Sequence, residues 1–353
     1  MNHHPSRRSV LLALGGIALG AAAGCRGASS SSTAGSDATA VGSPAASASA
    51  DQVSGQSLVA VPANGSFTFA TDVDNRSGSG ESAPIAADYW MGRHQVTNAQ
   101  YKEFLSAVSG KSAPSYWSDA NYPSGKADHP VLFVSAVDAK AFCDWLTSTT
   151  SDWKFRLPTE AEWENAARGP HSYAYPWGDE AASTYSGGTL TSNDNYNGVV
   201  SAYYLAKYGS AKATYNDKNS ARYGQSEPLS SILSISADGG VQGWIDHDTW
   251  TGFVYTDLFT DLDKTGGYTS AVGAYPAGIS PYGCYDMAGN AFEWTSSLIT
   301  AKNGAEAGQQ VNAVRGGSWY STGRSCRTDY RGEGRSGSGG YNTVGFRVAA
   351  TKA

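Results

Sequence analysis

The sequence predicts a loop-rich α+β domain interrupted by a long insertion. Short strand-like runs alternate with amphipathic helix patterns between Ala87 and Arg168. Glycine is abundant (42 of 353 residues) and aromatic residues make up 12%, against 16% charged residues, a balance that suits long ordered loops packed on aromatic anchors. Near the C-terminus, RGGSW (Arg315 to Trp319) and GFRV (Gly345 to Val348) pair glycines with aromatic and branched residues, as close-packed strands do.

The chain opens on an address, not a fold element. Ser6-Arg7-Arg8-Ser9-Val10-Leu11-Leu12 is a twin-arginine pattern. The apolar run behind it, to Ala23, is too short and too rich in glycine and alanine for a good membrane span. It ends in Ala22-Ala23-Gly24-Cys25, a lipobox pattern, so residues 1–25 are the expected signal peptide and Cys25 the lipidation site. The twin-arginine route implies export in a folded state. Arg26 follows, with no inner-membrane retention Asp, so an outer surface is expected. Residues 26–56, rich in Ser, Ala, Gly and Thr, read as a flexible tether, and residues 57–353 as the domain. The net charge of -6, without a basic stripe, argues against a nucleic-acid partner. Cys143, Cys284 and Cys326 remain beyond Cys25, an odd number whose pairing is open.

Within the domain, Tyr89-Trp90-Met91-Gly92 reads as a strand. Thr97 then caps a helix whose Tyr101, Phe104 and Leu105 share one face. Asp128-His129-Pro130-Val131 turns into a short apolar strand. Ser135 caps a second helix, Ala136 to about Thr147, with Phe142, Trp145 and Leu146 inward. Phe155-Arg156-Leu157-Pro158 ends a strand, and Thr159 with Glu162 forms a capping box for a third helix. Glu160, Glu162 and Glu164 are expected in its first turn, facing solvent. His94 and His129 read as turn or core histidines. No Ser-His-Asp set is evident, and the GRSGSGG run ending at Gly340 neither follows a strand nor precedes a helix, as a phosphate loop would.

MGRHQVTNAQYKEFL (Met91 to Leu105), HPVLFVSAVDAKAFCDWL (His129 to Leu146), FRLPTEAEWENAARG (Phe155 to Gly169), YPWGDE (Tyr175 to Glu180), YGCYDMAGNAFEW (Tyr282 to Trp294), RGGSW and GFRV follow in order. Together they resemble the formylglycine-generating-enzyme (sulfatase-modifying factor) family over most of Tyr89 to Val348. The resemblance implies a C-type-lectin-like α+β fold. The chain departs from the family's pattern in an insertion at about 181–263, rich in Asn, Tyr, Ser and Gly, which reads as ordered surface loops. Asp246-His247-Asp248 within it reads as a solvated turn rather than a metal site.

The resemblance also implies two metal questions. Asp286 to Glu293 matches the family's calcium loop, with the Asp286 side chain, the Gly289 and Ala291 carbonyls and the Glu293 carboxylate as ligands. Calcium takes hard oxygen ligands of this kind, so a structural calcium is expected. Members that oxidise a substrate cysteine to formylglycine hold copper with two cysteines after RGGS. Counting from Ser318, the later one falls on Cys326 and the earlier on Ser321. A hydroxyl is a poor copper(I) ligand. Copper is therefore not expected, and Cys326 reads as a buried structural thiol next to Arg327, or as a disulfide partner. It would carry catalysis only in the alternative reading, an oxidase with an altered metal site.

From Tyr320 to Thr343 there is no Leu, Ile, Val, Ala, Met, Phe or Lys. Tyr, Ser, Gly, Thr and Arg fill most positions, a composition like that of a binding paratope. The layout resembles variable proteins of diversity-generating retroelements, whose variable region lies between RGGSW-like and GFR-like framework with a Cys-Arg pair inside. That implies a variable region over 315–347 produced by changing adenines, chiefly in Asn codons. The expected ligand contacts are Tyr320, Ser321, Thr322, Gly323, Ser325, Thr328, Asp329, Tyr330, Gly332, Tyr341, Asn342 and Thr343, with the three tyrosines as anchors. The expected protein is a lipid-anchored, surface-displayed binder, not an enzyme, whose partner is a protein or glycan at a cell or phage surface. A degenerate envelope scaffold is a third possibility.

Overall fold

The computed structural model describes residues 50–70, 80–179, 267–301, 306–321, 323–331 and 334–353, with short stretches between 183 and 252. Outside the insertion the frame consists of β1 (Asp51–Val53), β2 (Gln56–Val61), β3 (Tyr89–Gly92), α1 (Asn98–Ala107), α2 (Ala136–Ser148), β4 (Trp153–Arg156), α3 (Glu160–Arg168), β5 (Phe292–Thr300), β6 (Gln310–Arg315), β7 (Gly334–Arg335), β8 (Val344–Gly345) and β9 (Ala349–Lys352). The α+β class is as the sequence predicts.

One sheet has the order β1-β2-β3-β9-β4, with every pair antiparallel. The period of two along its strands divides the core. Val59, Val61, Tyr89, Met91 and Ala349 pack with Trp163, Ala166 and Ala167 of α3. Leu58, Trp90 and Ala350 face the cluster that holds Tyr101 and Phe104 of α1 and Phe142 of α2. There Phe142 contacts Tyr101, Phe104 and Phe346 at centroid distances of 6.0, 5.6 and 5.3 Å. Such aromatic pairs add about 0.5–1.5 kcal/mol each beyond area burial.

The expected helix starts are present. Thr97 and Thr159 each form a capping box, with Gln100 and Glu162, and the Ser135 hydroxyl accepts from the Asp138 N–H. Three local expectations are corrected. Residues 51–56 are not tether: β1 pairs with β2 through a turn at Ser54 and Gly55, both at positive φ (48° and 75°), as a tight hairpin requires. Val131 to Val134 form no strand; Phe133 sits at φ 58°, and the segment meets its neighbours through Val131 N–H to Val96 O and Phe133 N–H to Tyr341 O. Glu160, Glu162 and Glu164 are buried, at 3%, 7% and 0% exposure, because arginines reach them: Arg315 and Arg331 from far along the chain onto Glu160 and Glu164, and Arg156 from the end of β4 onto Glu162.

The second sheet has the order β7-β6-β5-β8, with β5 antiparallel to β6 and parallel to β8. Its register sets Glu293 opposite both Arg315 and Gly345, which brings the three C-terminal motifs into one row. Within the insertion, the described strands pair with one another: 183–186 with 189–192, 212–215 with 226–228 and 250–252, and 234–235 with 241–242. Asp246-His247-Asp248, Cys25 and the rest of the expected signal and lipobox lie outside the described residues. Among the described residues no helix is long and apolar enough to cross a membrane.

Candidate functional site

The site begins where β6 ends. Arg315 is fully buried and bridges Glu160 (2.9 Å) and Glu164 (2.7 Å) of α3, and it also donates to the Thr328 carbonyl. Gly317 follows at φ 75°, and a Cβ there would stand 2.5 Å from Cys326 Sγ. Only glycine lets the chain lie this close to the cysteine. Ser318 and Ser321 then close a turn, with Ser321 Oγ accepting from the Ser318 N–H at 3.0 Å and lying 3.1 Å from Ser318 Oγ. Trp319 is buried under Gly267, and its Nε1–H donates to the Asn342 carbonyl at 3.1 Å. That bond ties the start of the predicted variable segment to its end.

Around Trp319 lies a strip of half-buried aromatics. Tyr268 and Tyr320 meet its ring at 5.5 and 5.4 Å. Beyond the 3-10 turn Gly323–Cys326, Tyr175 stacks on Trp177 at 5.0 Å and donates to the Gly323 carbonyl at 3.2 Å. Arg327 lies over Tyr175 and holds Asp329 through two bonds of 2.8 and 2.6 Å. Tyr341 leans on Trp294, and Arg335 lies over its ring. Burial raises the hydroxyl pKa of both Tyr320 and Tyr341.

The structure sorts the predicted contact residues. Tyr320, Ser321, Gly323, Ser325, Asp329, Tyr341, Asn342 and Thr343 are half-buried and reach the surface. Thr322 and Gly332 lie outside the described residues. Thr328 and Tyr330 do not belong to a contact face, being 0% and 3% exposed. The Thr328 hydroxyl donates to the Tyr173 carbonyl, and its N–H to Ala174 O at 2.8 Å. Sequence reasoning missed Tyr175, Trp177 and Tyr268 as neighbours of the strip; the signal for the first two was their place in the YPWGDE motif.

Two metal sets can be compared with this geometry. For copper the residues do not fit. Cys326 is buried against Ala288 and Trp177, and position 321 offers a hydroxyl already committed to Ser318. No disulfide joins Cys143, Cys284 or Cys326, and all three are buried. Burial pushes the Cys284 thiol up to about 11 and raises that of Cys143 further.

For calcium the loop is occupied by donors of the protein itself. Glu293 Oε1 accepts from Arg347 Nη2 (2.6 Å) and Gln95 Nε2 (3.0 Å), and Oε2 accepts from Arg347 Nε and Trp163 Nε1 (both 2.6 Å). The Ala291 carbonyl accepts from Gln95 Nε2 at 2.9 Å, the Gly289 carbonyl from Ala291 N–H at 2.8 Å, and Asp286 Oδ2 from Gly273 N–H at 2.7 Å. Burial pushes the Asp286 carboxyl up to about 6, against the pull of Gly273 N–H and Arg347. Gln95 Oε1 is buried with no hydrogen-bond partner among the described residues. An all-oxygen donor set with one orphaned buried oxygen beside it is the chemistry a hard cation takes.

Fold and site together define a C-type-lectin-like α+β frame built on a buried RGGSW–GFR core. The chain belongs to the sulfatase-modifying factor enzyme 1-like family, whose model matches residues 44–224 and 219–352. It is 24% identical over 350 residues to the formylglycine-generating enzyme of Bos taurus, covering 83% of this chain and 74% of that protein. Among solved structures it is similar to PvdO from Pseudomonas aeruginosa, with a TM-score of 0.51, 21% identity and coverage of 84% and 94%. It is also similar to Treponema denticola variable protein 1, with a TM-score of 0.45, 17% identity and coverage of 83% and 94%.

Proposed function

We propose that this chain is a surface-displayed lipoprotein whose domain binds a protein or glycan ligand through its C-terminal face, and is not a cysteine oxidase. The observation that carries the reading is Ser321. It stands where a second copper-binding thiolate would be needed, and its hydroxyl closes the Ser318 turn instead. Cys326, beneath Gly317, is left as the one thiol of the segment. Tyr320, Ser325, Asp329, Tyr341 and Asn342 are half-buried and reach the surface, and tyrosine with small polar neighbours makes a low-entropy contact surface.

The twin-arginine pattern and the lipobox at Cys25 supply export and an anchor in the outer surface of the envelope. The segment before Asp51 is the tether. The segment 320–343 is diversified by a retroelement, with the buried framework constant. Asp286, Gly289, Ala291 and Glu293 hold a structural calcium that stiffens the loop beneath Trp294.

The test is copper(I) titration of the full chain, together with a sulfatase-type cysteine peptide as substrate. The expected result is no stoichiometric copper uptake and no aldehyde product, with copper uptake gained by Ser321→Cys. Aldehyde formation by the wild-type chain would overturn the reading.

A further inference from the structure

The loop 286–293 is closed by a residue that its own sequence does not contain. Gln95 precedes α1, is 1% exposed, and inserts its carboxamide among the loop oxygens. Its Nε2 lies 2.9 Å from Ala291 O, 3.0 Å from Glu293 Oε1 and 3.4 Å from Asp286 O. Its Oε1 is idle and buried. The other side-chain donor to Glu293 from outside the helices, the cationic Arg347, directs its N–H groups to both Glu293 oxygens and to the Gly92 and Tyr285 carbonyls.

Oxygen ligands of one calcium ion, each 2.3–2.6 Å from the metal, stand roughly 3 Å or slightly more from one another. That is the separation Gln95 Nε2 now keeps from two of the expected ligands, Ala291 O and Glu293 Oε1. The last torsion of glutamine is soft and two-fold, so the amide can turn over at small cost. Turning it places Oε1 at ligand–ligand distance from the same oxygens and frees a lone pair on Glu293 Oε1. We propose that Gln95 is a two-state latch: its amide N–H closes the loop without metal, and its carbonyl oxygen becomes a calcium ligand when the ion enters. The proposal rests on the calcium reading of the loop.

The test uses the full chain with calcium, with EDTA, and with terbium as a luminescent substitute. Trp163 Nε1 touches Glu293 Oε2 at 2.6 Å, so an ion in this loop is sensitised by that indole. Calcium raises the melting temperature of the wild type over EDTA, and terbium emits on tryptophan excitation. Gln95→Leu weakens calcium binding tenfold or more. Gln95→Glu, with a carboxylate facing three oxygens, melts below wild type in EDTA and recovers with calcium. Wild-type binding that Gln95→Leu leaves unchanged would remove Gln95 from the site while sparing the calcium reading. A Gln95→Glu chain that matches wild type in EDTA and ignores calcium would also overturn the latch. Absence of any calcium or terbium response in the wild type would overturn both.

Discussion

Arg315→Met tests how the C-terminal face is held. The side chain is fully buried and joins α3 to the segment through Glu160, Glu164 and the Thr328 carbonyl. Its ring neighbour is Trp163, with the guanidinium 5.3 Å from the indole centroid. Removing one partner of a buried ion pair costs about 3–5 kcal/mol, because the opposite charge stays buried. Here the remaining carboxylates keep some compensation: Glu160 retains Arg331, and Glu164 retains Arg168 and the Ala70 N–H. The expected loss is therefore near the lower end, about 3 kcal/mol, or on the order of 5 °C in melting temperature for a domain of this size. Thermal unfolding measures the loss, and hydrogen exchange at Thr328, whose N–H bonds Ala174 O, reports whether the segment loosens first. The control is Arg327→Met, whose ion pair with Asp329 is partly exposed and is worth less than about 1 kcal/mol. If Arg315→Met loses no more than the control and leaves Thr328 protected, the segment is not held through Arg315 and the argument for a rigid face fails.

Gly317→Ala places a Cβ against Cys326 at φ 75° and is expected to cost about 1–3 kcal/mol, with Cys326 becoming more reactive to a thiol reagent; an inert thiol and unchanged melting would contradict the close packing. Thr328→Val loses a buried hydroxyl donor and is expected to cost about 1 kcal/mol in urea unfolding; an unchanged unfolding midpoint would contradict the inward packing of Thr328. His129 has its pKa lowered to about 4, chiefly by burial and then by Lys126. Its folded value lies below the unfolded one near 6.5, so the stability it contributes is present above about pH 6.5 and is lost as pH falls toward 4. An NMR titration of His129 with a midpoint at 6 or above would refute this.

The parts of the fold that were legible are local ones. Thr97, Ser135 and Thr159 announce their helices because a cap and its partner lie three residues apart. The burial of Glu160 and Glu164 was not legible, because Arg315 joins them across more than 150 positions, and first-turn glutamates ordinarily face water. The bracketing of the site by RGGSW and GFR was visible in the motifs, and the Trp319–Asn342 bond accounts for it physically. Composition marked Tyr320, Tyr330 and Tyr341 alike, yet only tertiary packing decides that Tyr330 turns inward. Gln95 carried no signal at all, since its partners lie 191–198 positions away.

The most direct test of the central claim is deep sequencing of codons 315–347 across a population of the source strain, with a search of the flanking DNA for a near-copy. The account predicts adenine-derived variation concentrated at Tyr320, Ser321, Gly323, Ser325, Asp329, Tyr341, Asn342 and Thr343. It predicts constancy at Arg315, Gly317, Trp319, Thr328, Tyr330 and Arg347, whose side chains or close contacts are buried. An invariant segment with no near-copy, or variation spread equally over the buried positions, would contradict it.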